Sequence, residues 1–480
     1  MEAIFDVMET ASALQTQFTQ LRNLNSFTPV CALPPELLSY IFELGQAMEL
    51  AELIDADGAS SLPIFQPFEV LVSHVSSHFR NVAIGTHLLW SYITIGPALR
   101  GEEIETYLDR SNGCGLGVRM DLSGARIPNP LTMAKINMAV PHSHRYQRLT
   151  IDSIQESTAR PILRRFCNAT TPMLQHLSIS VDEVEGNTAM DGKMFQGGAP
   201  NLSFVRLRGL ALHLFHPPLD NVTTLHLDQT APLPMLYTTF RDMVTAPSLL
   251  QNLSIYGDII APQNTTHWAG LNTAPISLPH LRCLRICGVG GAIYSGLLLH
   301  ISAPALESLV LKDLKESDLQ RFWATSTVAA RFPLLRSLTF FDSEISRDAY
   351  MAMFRAFPAI STFTAAYQVT TPTLLQLLSE PQLEPELEYG PGIPWPRLQT
   401  LTLLVNLYDM EHLIMELVGQ RKAAGCPLTK LRLGTAQPLS VLSRYAWLKE
   451  NVILEKLLEL DGWPMADSSF DVDPDDILFV

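Results

Sequence analysis

The sequence predicts a mixed α/β protein in which a small helical region precedes a long array of parallel strands and helices. Three observations predict this fold class. First, a Leu-Pro-Pro-Glu segment that begins at residue 33 is followed by apolar residues with helical spacing. Second, a Leu-x-x-Leu-x-Leu pattern recurs along the chain up to residue 433. Third, the copies of that pattern are separated by segments with helical spacing. With 480 residues, 47% of them hydrophobic and 17% charged, the chain can bury a core larger than that of one typical domain.

Each copy of the recurring pattern ends in two apolar positions that are separated by one residue, and most copies begin with a Pro. The clearest copy runs from Pro333 to Phe340. The first of the two apolar positions is occupied in successive copies by Leu149, Leu177, Val205, Leu225, Leu253, Leu284, Leu309, Leu338, Phe363, Leu401 and Leu431. These positions lie on average about 28 residues apart, within the range of about 20–29 residues for leucine-rich repeats. Residues 93–95 and 118–122 continue the spacing toward the N-terminus.

Alternation of this kind places the apolar side chains on one face of a short strand. No single repeat can bury that face, so neighbouring repeats are expected to stack into a continuous parallel sheet. We therefore predict an irregular leucine-rich-repeat solenoid over residues 101–443, with parallel strands on the concave face and helices or turns on the convex face. Helices are expected at residues 236–243, 318–329, 347–357, 373–379 and 410–421. The alternative is a leucine-rich α/β protein without a superhelix.

The regions outside the array have patterns of their own. Residues 1–28 carry an apolar stripe with helical spacing and predict an amphipathic helix, packed on its own chain or pairing two chains. Residues 380–396 are rich in Pro and Glu and predict a loop that stands off the array. Residues 444–480 predict a capping helix up to residue 460, followed by an acidic tail.

The helical region, residues 29–100, contains two apolar segments joined by a spacer. In the first segment, Pro34 and Pro35 suit the first turn of a helix because the N–H groups that they lack would have no partner there. The second segment runs from Val75 to Ala83 and is followed by Leu89 and Trp90. The spacer, residues 47–67, is predicted to be an inserted loop.

This pair of segments resembles the F-box, a small helical domain. The residues that match the family's pattern are Leu33, Pro34, Glu36, Leu37, Ile41, Phe42, Val75, Arg80, Ala83, Leu89 and Trp90. Ser76 and Phe79 depart from it, since the family usually has Cys and Trp at these positions, and the spacer is longer than the family's.

The resemblance implies that the helical region binds the Skp adaptor of an SCF-type ubiquitin ligase and, through the adaptor, the cullin. The residues expected at the adaptor contact are Leu33, Pro34, Pro35, Leu37, Leu38, Ile41 and Phe42. Val75, Phe79 and Trp90 are expected to pack the domain beneath them. An F-box joined to leucine-rich repeats further implies a substrate receptor, whose repeats hold a target protein and which contributes no chemistry of its own.

Strand positions that flank the buried leucines are expected to line the concave face and to contact the target. Several of them are basic although the net charge of the chain is −15: Arg148, Arg206, Arg208, His226, Arg285 and Arg432. We expect these residues to favour an acidic or phosphorylated target segment. The alternative is that they are ordinary solvated strand positions.

Composition and motifs argue against several other function classes. The acidic net charge argues against nucleic acid or an anionic membrane as the main partner. The six cysteines are scattered, and residues 1–6 show no signal-peptide pattern, so an intracellular protein is expected. No phosphate-loop, nucleophile-elbow or zinc-protease motif occurs, so we expect no enzyme, cofactor or metal. The main rival function is a repeat scaffold whose helical region does not bind the adaptor.

Overall fold

The computed structural model describes residues 29–55, 67–96, 100–122, 130–183, 192–230, 233, 235–260, 275–288, 292–323, 331–366, 370–380, 392–404, 407–434 and 445–456. The predicted N-terminal helix at 1–28, the loop at 380–396 and the acidic tail fall wholly or largely outside these residues. Residues 56–66 of the predicted spacer and residues 324–329 of the helix predicted at 318–329 also lie outside them.

The N-terminal part of the described chain is helical. It contains α1 (Pro35–Asp55), α2 (Phe68–Val75), α3 (Ser77–Gly85) and a 3-10 turn (His87–Trp90). Helix α1 begins at the prolines, as the sequence predicts, and the carbonyl of Pro34 accepts hydrogen bonds from Leu37 and Leu38. Ser76 separates α2 from α3 and caps the latter, because its hydroxyl accepts a hydrogen bond from the Phe79 N–H at 3.1 Å. Residues 29–90 are called the helical segment below.

A parallel sheet of 14 strands dominates the rest of the described chain, and its spatial order follows the chain order. Its strands are β1 (Tyr92–Ile95), β2 (Leu116–Asp121), β3 (Tyr146–Gln155), β4 (His176–Glu183), β6 (Phe204–Gly209), β8 (Thr224–Asp228), β9 (Asn252–Tyr256), β11 (Cys283–Cys287), β13 (Ser308–Lys312), β14 (Ser337–Phe341), β15 (Thr362–Ala366), β16 (Thr400–Leu404), β17 (Lys430–Gly434) and β18 (Ile453–Lys456). Two short parallel pairs complete the described strands: β5 (Gly192–Lys193) with β7 (Phe215–His216), and β10 (Ile276–Ser277) with β12 (Ile301–Ser302). The prediction of a mixed α/β fold with a long parallel sheet is confirmed.

Helices connect many of the strands. They are α4 (Gly101–Arg110), α5 (Pro130–Ala139), α6 (Glu156–Arg165), α7 (Ala211–Leu214), α8 (Tyr237–Thr245), α9 (Ala292–His300), α10 (Gln320–Trp323), α11 (Arg347–Ala356), α12 (Thr371–Ser379), α13 (Leu407–Ala423) and α14 (Tyr445–Asn451). A 3-10 turn, Val140–Arg145, precedes β3. The helices predicted at 236–243, 347–357, 373–379 and 410–421 are confirmed to within a few residues.

The register of the sheet aligns the sequence repeats. Leu253 pairs with Leu284, Leu284 with Leu309, and Leu309 with Leu338. The same ladder begins at Ile93, its members are buried as far as Leu431, and it ends at the half-buried Leu454 of β18. The second apolar positions of the repeats form another row of side chains beside the first, to which Ile255 and Ile286 belong. The core therefore runs the length of the sheet between its apolar face and the helices.

The residue at the end of a strand, or directly after it, often has a positive φ angle. Gly209 and Gly257 have φ values of 61° and 78°, and a Cβ atom on either would lie 2.3 Å from a carbonyl oxygen of the neighbouring repeat. Only glycine fits these two positions without a shift of the backbone. Asp313 and Asp342 follow β13 and β14 with φ values of 55° and 44°, a conformation that Asp tolerates better than most residues do.

Two boundary predictions were wrong. Residues 47–55 belong to α1 instead of an inserted loop, because the helical pattern continues through residues with high helix propensity. Within the described part of the predicted capping helix, Tyr445–Asn451 is helical, and Ile453–Lys456 then forms β18 beside β17. The β-branched Val452 and Ile453 favour a strand, and the edge of β17 offers it hydrogen-bond partners.

We predict that Leu253→Ala destabilises the protein by about 2–5 kcal/mol, because it removes buried methyl groups from the ladder of β9 and leaves a cavity. Leu249→Ala is the matched control. Leu249 lies four residues earlier and is 49% exposed, so its truncation should change stability by no more than about 0.5 kcal/mol. Urea unfolding followed by circular dichroism measures both. Equal effects of the two variants would contradict the position of Leu253 in the core.

Candidate functional site

The helical segment buries one side of α1. Leu38 and Phe42, four residues apart, are buried, and the Phe42 ring lies 5.2 Å from that of Phe79 on α3. Trp90 is also buried, and its indole N–H donates to the Ala83 carbonyl at 2.8 Å. These contacts hold α1, α3 and the 3-10 turn together as a small core.

Another side of α1 carries large apolar side chains that are exposed. They are Leu37, Tyr40, Ile41, Leu44 and Met48, and between 46% and 64% of each is exposed. Successive residues on an α-helix are about 100° apart, so these five side chains fall within an arc of about 100°. We call this surface the apolar helix face.

Further exposed apolar side chains lie on neighbouring elements of the helical segment. They are Val30, Leu71, Val75, Ile84 and Leu88. Isolated exposed apolar residues are normal on protein surfaces, whereas a concentration on one small region is typical of a surface that binds another protein or a membrane.

The residues predicted to contact the adaptor therefore divide into two groups. Leu37 and Ile41 belong to the apolar helix face, Pro34 and Pro35 are exposed, and Leu33 is half-buried. Leu38 and Phe42 are buried in the core of the helical segment, so their assignment to an exposed contact is corrected.

The residues predicted to pack beneath the adaptor contact also fall into two groups, buried and exposed. Phe79 and Trp90 do so, whereas Val75, the last residue of α2, is 59% exposed and does not. The sequence motif aligned these positions without showing which side of the helix each faces. Tyr40, Leu44 and Met48 were missed, although their spacing from Leu37 and Ile41 carries the signal.

The sheet has a second face, opposite its apolar ladders, and this strand face carries most of the predicted target-binding residues. Arg206 and His226 are buried there, and so is Arg285. The Arg206 Nε donates to Asp228 Oδ2 on the adjacent strand at 2.7 Å. The prediction that these three residues are exposed to a target is therefore wrong, because neighbouring strands bring their long side chains together and cover them.

Other basic residues of the strand face have acidic neighbours. Arg208 lies 3.7 Å from Asp182, and Arg432 lies 3.5 Å from Glu455. Arg119 on β2 pairs with Asp152 on β3 at 2.8 Å. The sequence pattern does not reveal these acidic partners, because only the register of the sheet shows which strand positions are adjacent. Of the predicted set, Arg148 is half-exposed on β3.

Three rings of the strand face, those of His176, Phe204 and His226, contact one another in series. The His176 and Phe204 rings stack at 4.1 Å, and the Phe204 and His226 rings lie 5.0 Å apart. Burial lowers the pKa of His226 well below its ordinary value of 6.5, and the nearby Arg206, Arg285 and His176 lower it further. His226 is therefore a neutral imidazole at neutral pH.

No arrangement typical of an active site or a metal centre is seen in the described residues. His74 and His78, four apart in sequence, belong to different helices because α2 ends at Val75. Within the described ranges, no group of three or more His, Cys, Asp or Glu side chains could hold a metal ion. Among the described helices, none is both long and apolar enough to cross a bilayer.

No protein-family model matches the chain, and no curated protein matches it significantly. The geometry above and the sequence pattern are therefore the basis for the function proposed below.

We predict that Asp228→Ala destabilises the protein by about 3–5 kcal/mol, because it leaves the buried Arg206 guanidinium without its carboxylate. Asp182→Ala is the matched control. The Asp182–Arg208 pair is longer and Asp182 is exposed, so we expect a loss of about 0–1 kcal/mol. Chemical denaturation of both variants tests this, and a loss for Asp228→Ala as small as the control's would contradict it.

We also predict that His226 makes stability depend on pH. The folded state keeps His226 neutral while the unfolded state takes up a proton below pH 6.5, so the contribution of this residue to the free energy of unfolding falls as pH falls through 6.5. His226→Asn removes this contribution, and its stability should fall less steeply than that of the native protein between about pH 7 and 5. Thermal melts across this range measure the slopes, and identical slopes would contradict the prediction.

Proposed function

We propose that the protein is a substrate receptor of an SCF-type ubiquitin ligase, with an F-box in the helical segment that binds the Skp adaptor and a leucine-rich-repeat array that holds a target protein. The mechanism is proximity. The receptor raises the local concentration of a target lysine beside a ubiquitin-loaded enzyme, and supplies no catalytic group itself.

The apolar helix face carries this proposal. A helix that has already buried Leu38 and Phe42 against its own domain gains no folding stability from a second apolar surface in water. Such a surface suits burial against the groove of a partner protein. Its location, immediately after the Leu-Pro-Pro-Glu segment, is where the family resemblance expects the adaptor.

The repeat pattern supports the second part of the proposal. Strands that pair in chain order along a single sheet, with repeats of about 28 residues, suit a leucine-rich-repeat solenoid. The strand face is then the surface that holds the target. The preference for an acidic target has lost its support, because Arg206 and Arg285 are buried and Arg206, Arg208 and Arg432 lie beside carboxylates.

A repeat scaffold that does not bind the adaptor is the alternative. It is favoured by Ser76, which stands where the family usually has Cys and instead caps α3, and by the long segment that separates the two halves of the motif. This alternative shares the fold and the strand face with the main proposal, and differs only in the partner of the helical segment.

We predict that the native protein retains purified Skp adaptor in a pull-down, and that the triple variant Leu37→Glu, Ile41→Glu and Leu44→Glu loses it. Three carboxylates on the apolar helix face would have to be desolvated in the complex, whereas in the free protein they remain in water. The double variant Leu131→Glu and Leu236→Glu, at exposed leucines outside the helical segment, is the matched control and should retain the adaptor.

Thermal melts establish that all three proteins are folded. Failure of the folded native protein to retain the adaptor would overturn the receptor proposal and leave the scaffold. Equal retention by the native protein and the triple variant would show that the adaptor binds elsewhere.

A further inference from the structure

The helical segment meets α4, the helix that follows β1, at a buried polar cluster centred on Glu69 of α2. The Glu69 carboxylate accepts a hydrogen bond from the Tyr107 hydroxyl of α4 at 2.5 Å and another from the Gln46 side chain of α1 at 2.9 Å. The same Gln46 nitrogen lies 3.0 Å from the Leu89 carbonyl. One carboxylate, 5% exposed, thus connects three helices that are distant in sequence.

Aromatic contacts reinforce the cluster from the side of the sheet. The Tyr107 and Trp90 rings meet edge to face at 5.1 Å, and the Arg110 guanidinium lies 4.3 Å from the centre of the Trp90 ring. The His87 ring and the Arg110 carbonyl are 2.7 Å apart, so the Nδ1 of His87 carries the hydrogen and donates it. The 3-10 turn that leads into β1 is therefore fixed to α4 as well as to α3.

The chemistry of the cluster suits a permanent contact. The Tyr107 hydroxyl and the Gln46 side-chain nitrogen both donate to Glu69, and a carboxylate has only acceptors to offer them. Burial and the neighbouring Glu69 carboxylate raise the pKa of Tyr107 far above its ordinary value, so its hydroxyl keeps the hydrogen that it donates. Leaving the buried Tyr107 hydroxyl or the buried Glu69 carboxylate without its partner is unfavourable, which opposes separation of α2 from α4.

We propose that Glu69 is a positioning residue: its hydrogen bonds to Gln46 and Tyr107 lock the helical segment to the first strands, so that the apolar helix face and the strand face move as one rigid body. This inference does not need the proposed function. Under that function, the lock would set the distance and angle between adaptor and target.

Double electron–electron resonance on the full chain tests the lock. Spin labels attached to p-acetylphenylalanine at Ala47 on α1 and at His280 before β11, both exposed, leave the native cysteines in place. We expect a single narrow distance distribution in the native protein. Tyr107→Phe, which removes only the hydroxyl, and Glu69→Gln, which replaces one acceptor by a donor, should broaden it.

Tyr146→Phe is the matched control. It also removes a buried tyrosine hydroxyl, which donates to the Ala139 carbonyl at 2.8 Å, but it lies at β3 and away from Glu69. We expect it to lower the melting temperature and leave the distance distribution narrow. A native-like distribution in folded Tyr107→Phe would overturn the proposal, and so would equal broadening by Tyr146→Phe. If Glu69→Gln fails to fold, Tyr107→Phe alone decides.

Discussion

The hydrogen bonding between neighbouring parallel strands is the constraint on which the rest of the structure depends. A strand of four or five residues cannot satisfy its own N–H and C=O groups or bury its apolar side chains, and it obtains both from the strands on either side. Pairing Leu253 with Leu284 and Leu284 with Leu309 satisfies the backbone and closes the core in the same step. The apolar ladder is thus a consequence of register, and a shift of one residue would turn every ladder side chain to the opposite face.

The same register determines what happens on the strand face. A spacing of about 4.8 Å between strands brings long side chains of adjacent repeats into contact whatever their charge. Arg206 and Asp228 meet in this way, and His226 lies beside Arg206 and Arg285. Buried charges need partners or a shifted protonation equilibrium, and here both responses are present: Arg206 has a carboxylate, and His226 has lost its proton. The basic residues of this face therefore contribute mainly to packing between neighbouring strands, and they leave little positive charge exposed.

A structural feature could be predicted from the sequence when a local pattern marks it, and could not when it depends on residues that are distant in sequence. The ladder residues, from Leu149 to Leu431, could be assigned to strands because alternation and repetition are local patterns. The partners of the arginines could not, because pairing depends on the register between residues that are 20 or more apart. Leu38 and Phe42 share a motif with Leu37 and Ile41, yet the two pairs lie on different sides of α1, about 100° apart around the helix. A motif aligns residues, and only packing shows which side of the helix is buried.

The apolar helix face is not a result of the apolar composition of the chain, because another helix of the same region behaves differently. Helix α4 buries Ile104, Tyr107 and Leu108 and exposes Glu102, Glu103 and Glu105, the usual division for a helix with one side in water. Helix α1 buries Leu38 and Phe42 but exposes leucine, isoleucine and methionine within one arc. Both helices are anchored to the same carboxylate, Glu69, so neither can rotate to bury a different side without breaking that contact. In this orientation α1 leaves Leu37, Ile41 and Leu44 in water, which is the property that the proposed docking surface needs.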